Sequence, residues 1–159
     1  MGDFQRALYD FSVAIKISKE KKDSEETIAL NYNYAGVQHY ELGQLDEALK
    51  HYDLAVTYDA SKGYFWYNRG LVKSRLDKVE DAVVDYKKAI ELLSEADYLY
   101  QANFNMGICL RRMGPEHLDR SIDHLKKAVE IKNDRSSAHN NLGLSYFEKG
   151  EFEDALIHY

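Results

Sequence analysis

Four glycines recur at nearly even intervals along this chain. Gly36, Gly70, Gly107 and Gly143 lie 34, 37 and 36 residues apart, in the settings Tyr34-Ala35-Gly36, Asn68-Arg69-Gly70, Asn105-Met106-Gly107 and Asn141-Leu142-Gly143. Self-similarity at such a period marks an array of supersecondary units, each too small to bury its own apolar face, so it restricts the fold more than any single segment does.

A second pattern lies between the glycines and occurs five times. It reads Phe4, Ala7, Leu8, Phe11, Ala14, Ile15; then Leu45, Ala48, Leu49, Tyr52, Ala55, Val56; then Val79, Ala82, Val83, Tyr86, Ala89, Ile90; then Leu118, Ser121, Ile122, Leu125, Ala128, Val129; and Phe152, Ala155, Leu156, Tyr159. Steps of three, one, three, three and one hold these residues on one stripe of a 3.6-residue helix. The unit is therefore a hairpin of about 34 residues: a first helix with the glycine, a short turn, and a second helix with the alanines. Gly43, Gly114 and Gly150 fall seven residues beyond Gly36, Gly107 and Gly143, and Asp77 falls seven beyond Gly70, which places the turns. Glycine inside a helix costs about 1 kcal/mol relative to alanine. Its recurrence there predicts a neighbouring helix too close for a side chain.

Composition agrees with an all-α fold. The chain has 159 residues, 45% of them hydrophobic, with one proline, Pro115, against abundant Ala, Leu, Lys and Glu. Cys109 is the only cysteine, so no intrachain disulfide can form, and no signal-peptide pattern or long apolar run is present; a cytoplasmic setting is the expectation, with the nucleus as the second choice. A net charge of −6 gives no general attraction to nucleic acid.

At these residues the chain resembles the tetratricopeptide repeat family. The stretch from Asn141 to Ala155 is similar to the family motif at nearly every diagnostic place, and Trp66 matches the family's aromatic near the start of the first helix. The resemblance implies a right-handed superhelix of antiparallel hairpins, divided as 1–19 (second helix of a partial repeat), 27–60, 61–94, 97–133 (with an insertion) and 135–159 (truncated). The family's proline after the second helix is missing, with Ala60, Ser94 and Asn133 in its place, so second helices that run on or end less sharply are expected. Extra residues near Ser94-Glu95-Ala96-Asp97 and in Gly114-Pro115-Glu116-His117 are expected to be loop events, while Lys19 to Glu26 make a longer linker or a helix extension. Because the chain opens on a second helix and stops within another, we expect a piece of a longer solenoid, with self-association through its uncapped ends as a further expectation.

The resemblance also implies a concave groove lined by first helices, and with it a protein or peptide partner. The groove residues are then Asn33, Tyr64, Tyr67, Asn68, Arg75, Gln101, Phe104, Asn105, Arg111, Arg112, Asn140 and Asn141. An amide donates and accepts at once, so Asn68, Asn105 and Asn141 could pair with an extended peptide backbone, or bond within their own hairpins. Arg75, Arg111 and Arg112 form either a local cluster for an acidic segment or ordinary solvated charge. Tyr64, Tyr67 and Phe104 are candidate contact aromatics, whereas Trp66 reads as inter-helix packing. The family's clamp for chaperone C-terminal carboxylates maps onto Asn33, Val37, Asn68, Gln101 and Asn105; only Asn68 matches, so binding of that type is not expected.

Catalysis finds no support. The six histidines show no His-Glu-X-X-His spacing, no Cys-X-X-Cys exists, and phosphate-binding glycine loops and Gly-X-Ser-X-Gly elbows are absent, so no metal, cofactor or catalytic residue is expected. Cys109 reads as a small packing residue. Two functions remain: an interaction scaffold, or the regulatory or substrate-docking arm of an enzyme whose catalytic domain lies outside this segment.

Overall fold

The computed structural model describes residues 2–21 and 24–159, and within the first helix it describes side chains only for Arg6 and from Tyr9 onward. Phe4, Ala7 and Leu8 of the first stripe therefore lie outside the described side chains. Among the described residues there are nine α-helices and no strand: α1 (Gly2–Glu20), α2 (Glu25–Glu41), α3 (Leu45–Tyr58), α4 (Gly63–Arg75), α5 (Val79–Leu92), α6 (Ala96–Met113), α7 (Leu118–Ile131), α8 (Ser136–Lys149) and α9 (Phe152–His158). Each helix packs on the next, and α2, α4, α6 and α8 also touch in succession. The result is a solenoid of stacked hairpins.

The glycines sit where the pairing helices come closest. A Cβ built on Gly107 would lie 2.6 Å from Leu125 Cγ and 3.2 Å from the Ser121 carbonyl oxygen, and one on Gly36 would lie 2.7 Å from the Tyr52 ring. Gly70 faces Tyr86 at 3.2 Å, and Gly143 faces the Ala155 carbonyl oxygen at 3.2 Å. Opposite them Ala48, Ala55, Ala82, Ala89, Ser121 and Ala128 are fully buried, and the large Tyr52, Tyr86 and Leu125 fill the space between the small residues. The helical tax on glycine is offset by this close approach of two backbones.

Three hairpins turn in the same way. Gly43 (φ 73°), Asp77 (φ 62°) and Gly150 (φ 87°) are left-handed. After each, an N–H returns to the first helix: Gln44 to His39, Lys78 to Lys73 and Glu151 to Tyr146, all at 2.9 Å. This six-to-one bond satisfies carbonyls that would otherwise be orphaned at the helix end. Asp77 adopts the conformation without glycine's freedom. Gly114 (φ 125°) departs from the set, because the two extra residues there fold as a 3₁₀ turn over Pro115–His117.

Two expectations need correction. The second helices do not run on for want of a proline: α3, α5 and α7 each stop three residues after Ala55, Ala89 and Ala128, and the next residue, Asp59, Leu93 or Lys132, is extended. After Asp59 the chain is held by the carboxylate, which accepts from the Ser61 N–H at 2.9 Å and hydroxyl at 2.6 Å. Nor are the extra residues near Ser94 wholly a loop. Ala96 and Asp97 join the first turn of α6, making that first helix 18 residues long against 13 in α4. In the longer N-terminal linker, α1 extends to Glu20 and Ser24 caps α2, its hydroxyl accepting from the Thr27 N–H at 3.3 Å; Lys22 and Asp23 lie outside the described residues.

Trp66 packs against the cores on both sides of α4 and donates its indole N–H to the Ala60 carbonyl at 2.9 Å, closing the α3–α4 turn. Cys109 is buried, its thiol donates to Ser74 Oγ at 3.3 Å, and burial pushes the thiol up, away from the reactive thiolate. Both are packing residues.

Candidate functional site

Successive first helices are joined by side-chain contacts one repeat apart. Asn68 Nδ2 donates to Asn33 Oδ1 at 2.9 Å, from α4 to α2. Tyr67 donates its hydroxyl to Gln101 Oε1 at 2.6 Å and accepts from Asn105 Nδ2 at 3.4 Å, from α4 to α6. Burial pushes the Tyr67 hydroxyl up to about 12, so it remains a donor at any ordinary pH. Arg111 Nη1 reaches Glu148 Oε1 at 2.7 Å, from α6 to α8. These bonds set the spacing of the wall formed by α2, α4, α6 and α8.

Two depressions open on that wall. The first, about 450 Å³, is lined by Asn33, Tyr34, Val37, Tyr64, Asn68, Glu95 and Tyr98. The second, about 380 Å³, is lined by Tyr100, Gln101, Phe104, Asn105, Lys132, Arg135 and Ser137. Tyr100 and Phe104 stack there with ring centroids 5.9 Å apart. The extra turn of α6 builds part of the first depression: Tyr98 lies 6.3 Å from Tyr64 and 5.8 Å from Tyr67, centroid to centroid.

The structure thus brings together Asn33, Tyr64 and Asn68 in one depression and Gln101, Phe104 and Asn105 in the other. Tyr67 lies beneath the wall, buried, and spaces the helices. The asparagine series does not stand as a uniform ladder. Asn68 and Asn105 spend a donor on the neighbouring first helix, whereas Asn141 donates to the Ser137 carbonyl of its own helix at 2.9 Å. Asn140 lies apart, lining a further cavity of about 700 Å³ with His139 and His158. The arginines do not form one free cluster either. Arg111 is paired with Glu148, and Arg112 with Asp77 at 2.6 Å, while Arg75 lies 5.8 Å over the Tyr40 ring. Sequence reasoning missed Tyr34, Glu95, Tyr98, Tyr100, Lys132 and Arg135; of these Glu95, Lys132 and Arg135 flank helix ends that the repeat phase does not fix.

Behind the wall lies a buried ionic network. Asp85, on α5, is fully buried and accepts from Arg69 Nη2 at 2.7 Å and Nε at 2.8 Å, with Lys73 Nζ at 2.8 Å; Arg69 also reaches Asp53 on α3 at 3.0 Å and stacks 4.7 Å over Trp66. Asp85 occupies the position just before the large stripe residue. Asp10, His51, His124 and His158 occupy it in the other copies.

At that position in α7, His124 Nδ1 lies 2.9 Å from Asn103 Oδ1, and Asn103 Nδ2 donates to the Leu99 carbonyl at 2.9 Å. Asn103 must then accept, so His124 carries its proton on Nδ1. Burial foremost, then Lys127 and Arg120, holds the imidazole down to about 4. Because the unfolded chain takes up this proton near pH 6.5 and the folded chain only near 4, stability is full above the first value and falls as pH drops between them. Between pH 7 and 4 the protein is expected to lose about 2 kcal/mol more than His124→Asn, allowing for the half-buried setting. Urea unfolding of both proteins at the two pH values checks this.

Stacked two-helix units sharing a wall of first helices define the class: an α-solenoid of short helical repeats. The particular family follows from comparison. A family model described as Tetratricopeptide repeat matches residues 64–92. The Protein STIP1 homolog of Dictyostelium discoideum is 26% identical over 149 residues, 76% of this chain and 26% of that protein. The crystal structure of MamA shares 25% identity with a TM-score of 0.82, covering 99% of this chain and 85% of that one. The first TPR of Spaghetti (RPAP3), bound to an HSP90 peptide, has a TM-score of 0.67 at 21% identity over 85% of this chain and 96% of that one, a likeness of fold. Residues 64–92 thus match a tetratricopeptide repeat, and the chain as a whole has the fold of a tetratricopeptide repeat solenoid. It spans about a quarter of the length of the curated relatives it matches. Among the described residues no group of three or more His, Cys, Asp or Glu side chains is placed to hold a metal ion, and no helix is long and apolar enough to cross a membrane.

Proposed function

We propose that this chain is a protein-interaction scaffold that receives an extended peptide or a helix of a partner protein along the face of α2, α4, α6 and α8. The reading is carried by one observation: two depressions lie in succession on that face, each lined by aromatic rings and amides and bounded by first helices already bonded to one another. A wall held in place before the partner arrives loses little freedom on binding. An acidic stretch of the partner would face Lys132 and Arg135 at the second depression, in exchange for their exposed partners Asp97 and Asp134. The chaperone carboxylate tail is not the proposed occupant, since Asn33, Gln101 and Asn105 stand where that clamp would need cations.

Paired variants test the face. Tyr34→Ala with Gln101→Ala alters the first-helix wall; Leu54→Ala with Val84→Ala alters exposed positions on the second helices. Quantitative capture of a bound protein is expected to fall at least ~10-fold for the first pair and to stay unchanged for the second, in keeping with the weight that a few aromatic contacts carry in an interface. Loss through the second pair alone would move binding to the opposite face.

A second reading, a docking arm of a larger enzyme, uses the same groove and is favoured by the fraction of its relatives' length that the chain spans. Under either reading the groove holds and positions, and this segment supplies no chemistry of its own.

A further inference from the structure

The geometry points to the first depression as a receptor for a cationic side chain, a lysine or arginine of the partner peptide; this rests on the first-helix face being the binding face. Three phenol rings, Tyr34, Tyr64 and Tyr98, line it together with the Glu95 carboxylate, and among the described residues no cationic side chain lines it. Tyr34 and Tyr98 are 49% and 38% exposed; one face of Tyr34 stacks on Phe11 with centroids 5.6 Å apart, which leaves its other face and the exposed part of Tyr98 to a visitor. Ring faces attract a cation within about 6 Å through their quadrupole, and a carboxylate at the rim adds a full charge.

Glu95 is free to act. It stands at the N-cap position of α6 without a side-chain capping bond, and it makes no ion pair among the described residues. The positive end of α6 opposes a cation here, but a helix terminus carries only about half an elementary charge, partly spread over its first turn. The carboxylate outweighs it. The second depression differs in lining, with Lys132 and Arg135 on its wall, their carboxylate partners Asp97 and Asp134 being outside it and exposed. A peptide with a basic residue for the first and an acidic one for the second would have one preferred direction along the wall.

The test uses the whole 159-residue chain with ¹³C-labelled tyrosine and three small probes at constant ionic strength: tetramethylammonium chloride, tert-butanol as its neutral counterpart, and sodium acetate. Ring signals of Tyr34, Tyr64 and Tyr98 are expected to shift saturably with tetramethylammonium and not with the other two. Glu95→Gln should weaken that response roughly 3- to 10-fold, and Tyr98→Leu, which keeps an apolar wall without a ring, should abolish it. Equal shifts with tert-butanol would make this an apolar pocket, a stronger acetate response an anion site, and no saturable shift no site; each overturns the inference. Partner capture that depends on Tyr34 and Gln101 without any ammonium response would reject the cation site and keep the groove. An ammonium response with capture indifferent to those residues would reject the groove, and with it the peptide as the source of the cation.

Discussion

Gly107→Val is expected to destabilise the protein by about 3 kcal/mol or more, at the upper end of what overpacking a core usually costs. The Cβ alone would meet Leu125 Cγ at 2.6 Å and the Ser121 carbonyl oxygen at 3.2 Å, and Leu125 is fully buried with no room to withdraw. One branch of valine more, and α6 must part from α7. Better helix propensity recovers less than ~1 kcal/mol of that. The damage should also reach the wall, since α6 carries Gln101 and Asn105, which hold Tyr67 of the preceding repeat. Gly43→Ala is the comparison: it is left-handed but has nothing within 4 Å, so it is expected to cost only the ~1–2 kcal/mol of backbone strain. Urea unfolding of both variants measures the difference. If Gly107→Val cost no more than Gly43→Ala, close approach would not be what the helical glycines provide.

Arg69→Ala should be nearly as severe, about 3–5 kcal/mol, because it strips two hydrogen bonds from a carboxylate that is only 1% exposed and leaves Lys73 as its sole remaining cation. The loss belongs to the stranded charge rather than to the pair as such. Removing both partners, Arg69→Met with Asp85→Leu, is therefore expected to cost much less than the sum of the single changes, with a coupling of ~2 kcal/mol or more in a double-mutant cycle. Asp53, more than half exposed, should matter by less than ~1 kcal/mol. Additive single and double variants would mean that Asp85 is adequately solvated without Arg69.

These two sites differ in how far they could be read from sequence. The Gly107 notch was legible because helix phase is local: the same steps of three and four recur in every copy, and a helical glycine has few other uses. Asp85 was not, because it looks like any charge flanking an apolar stripe, and its partners Arg69 and Lys73 come from another helix, α4. A signal did exist. Aligning the copies puts Asp10, His51, Asp85, His124 and His158 in one column, and five titratable residues at one register mark a position that is kept polar.

The groove was half legible. Its first-helix residues follow from the repeat phase, but the engagement of Asn68 with Asn33 and of Asn105 with Tyr67 depends on the rise between hairpins, which no single repeat encodes. Tyr98 was out of reach for a different reason. Extra residues beside a helix can lengthen either the loop or the helix, and here Ala96 and Asp97 went to the helix, swinging Tyr98 against Tyr64 and Tyr67. Pairing of Arg112 with Asp77 likewise needed the left-handed turn that presents that carboxylate.

Site-specific photo-crosslinking puts the central claim, that a partner lies along the first-helix wall, to the most direct test. With a photoreactive amino acid at the position of Tyr34, Tyr98 or Gln101, and in turn at Leu54 or Val84, irradiation in the presence of the partner is predicted to give adducts from the first three positions and none from the last two. Adducts from Leu54 and Val84, with none from Tyr34, Tyr98 or Gln101, would contradict it.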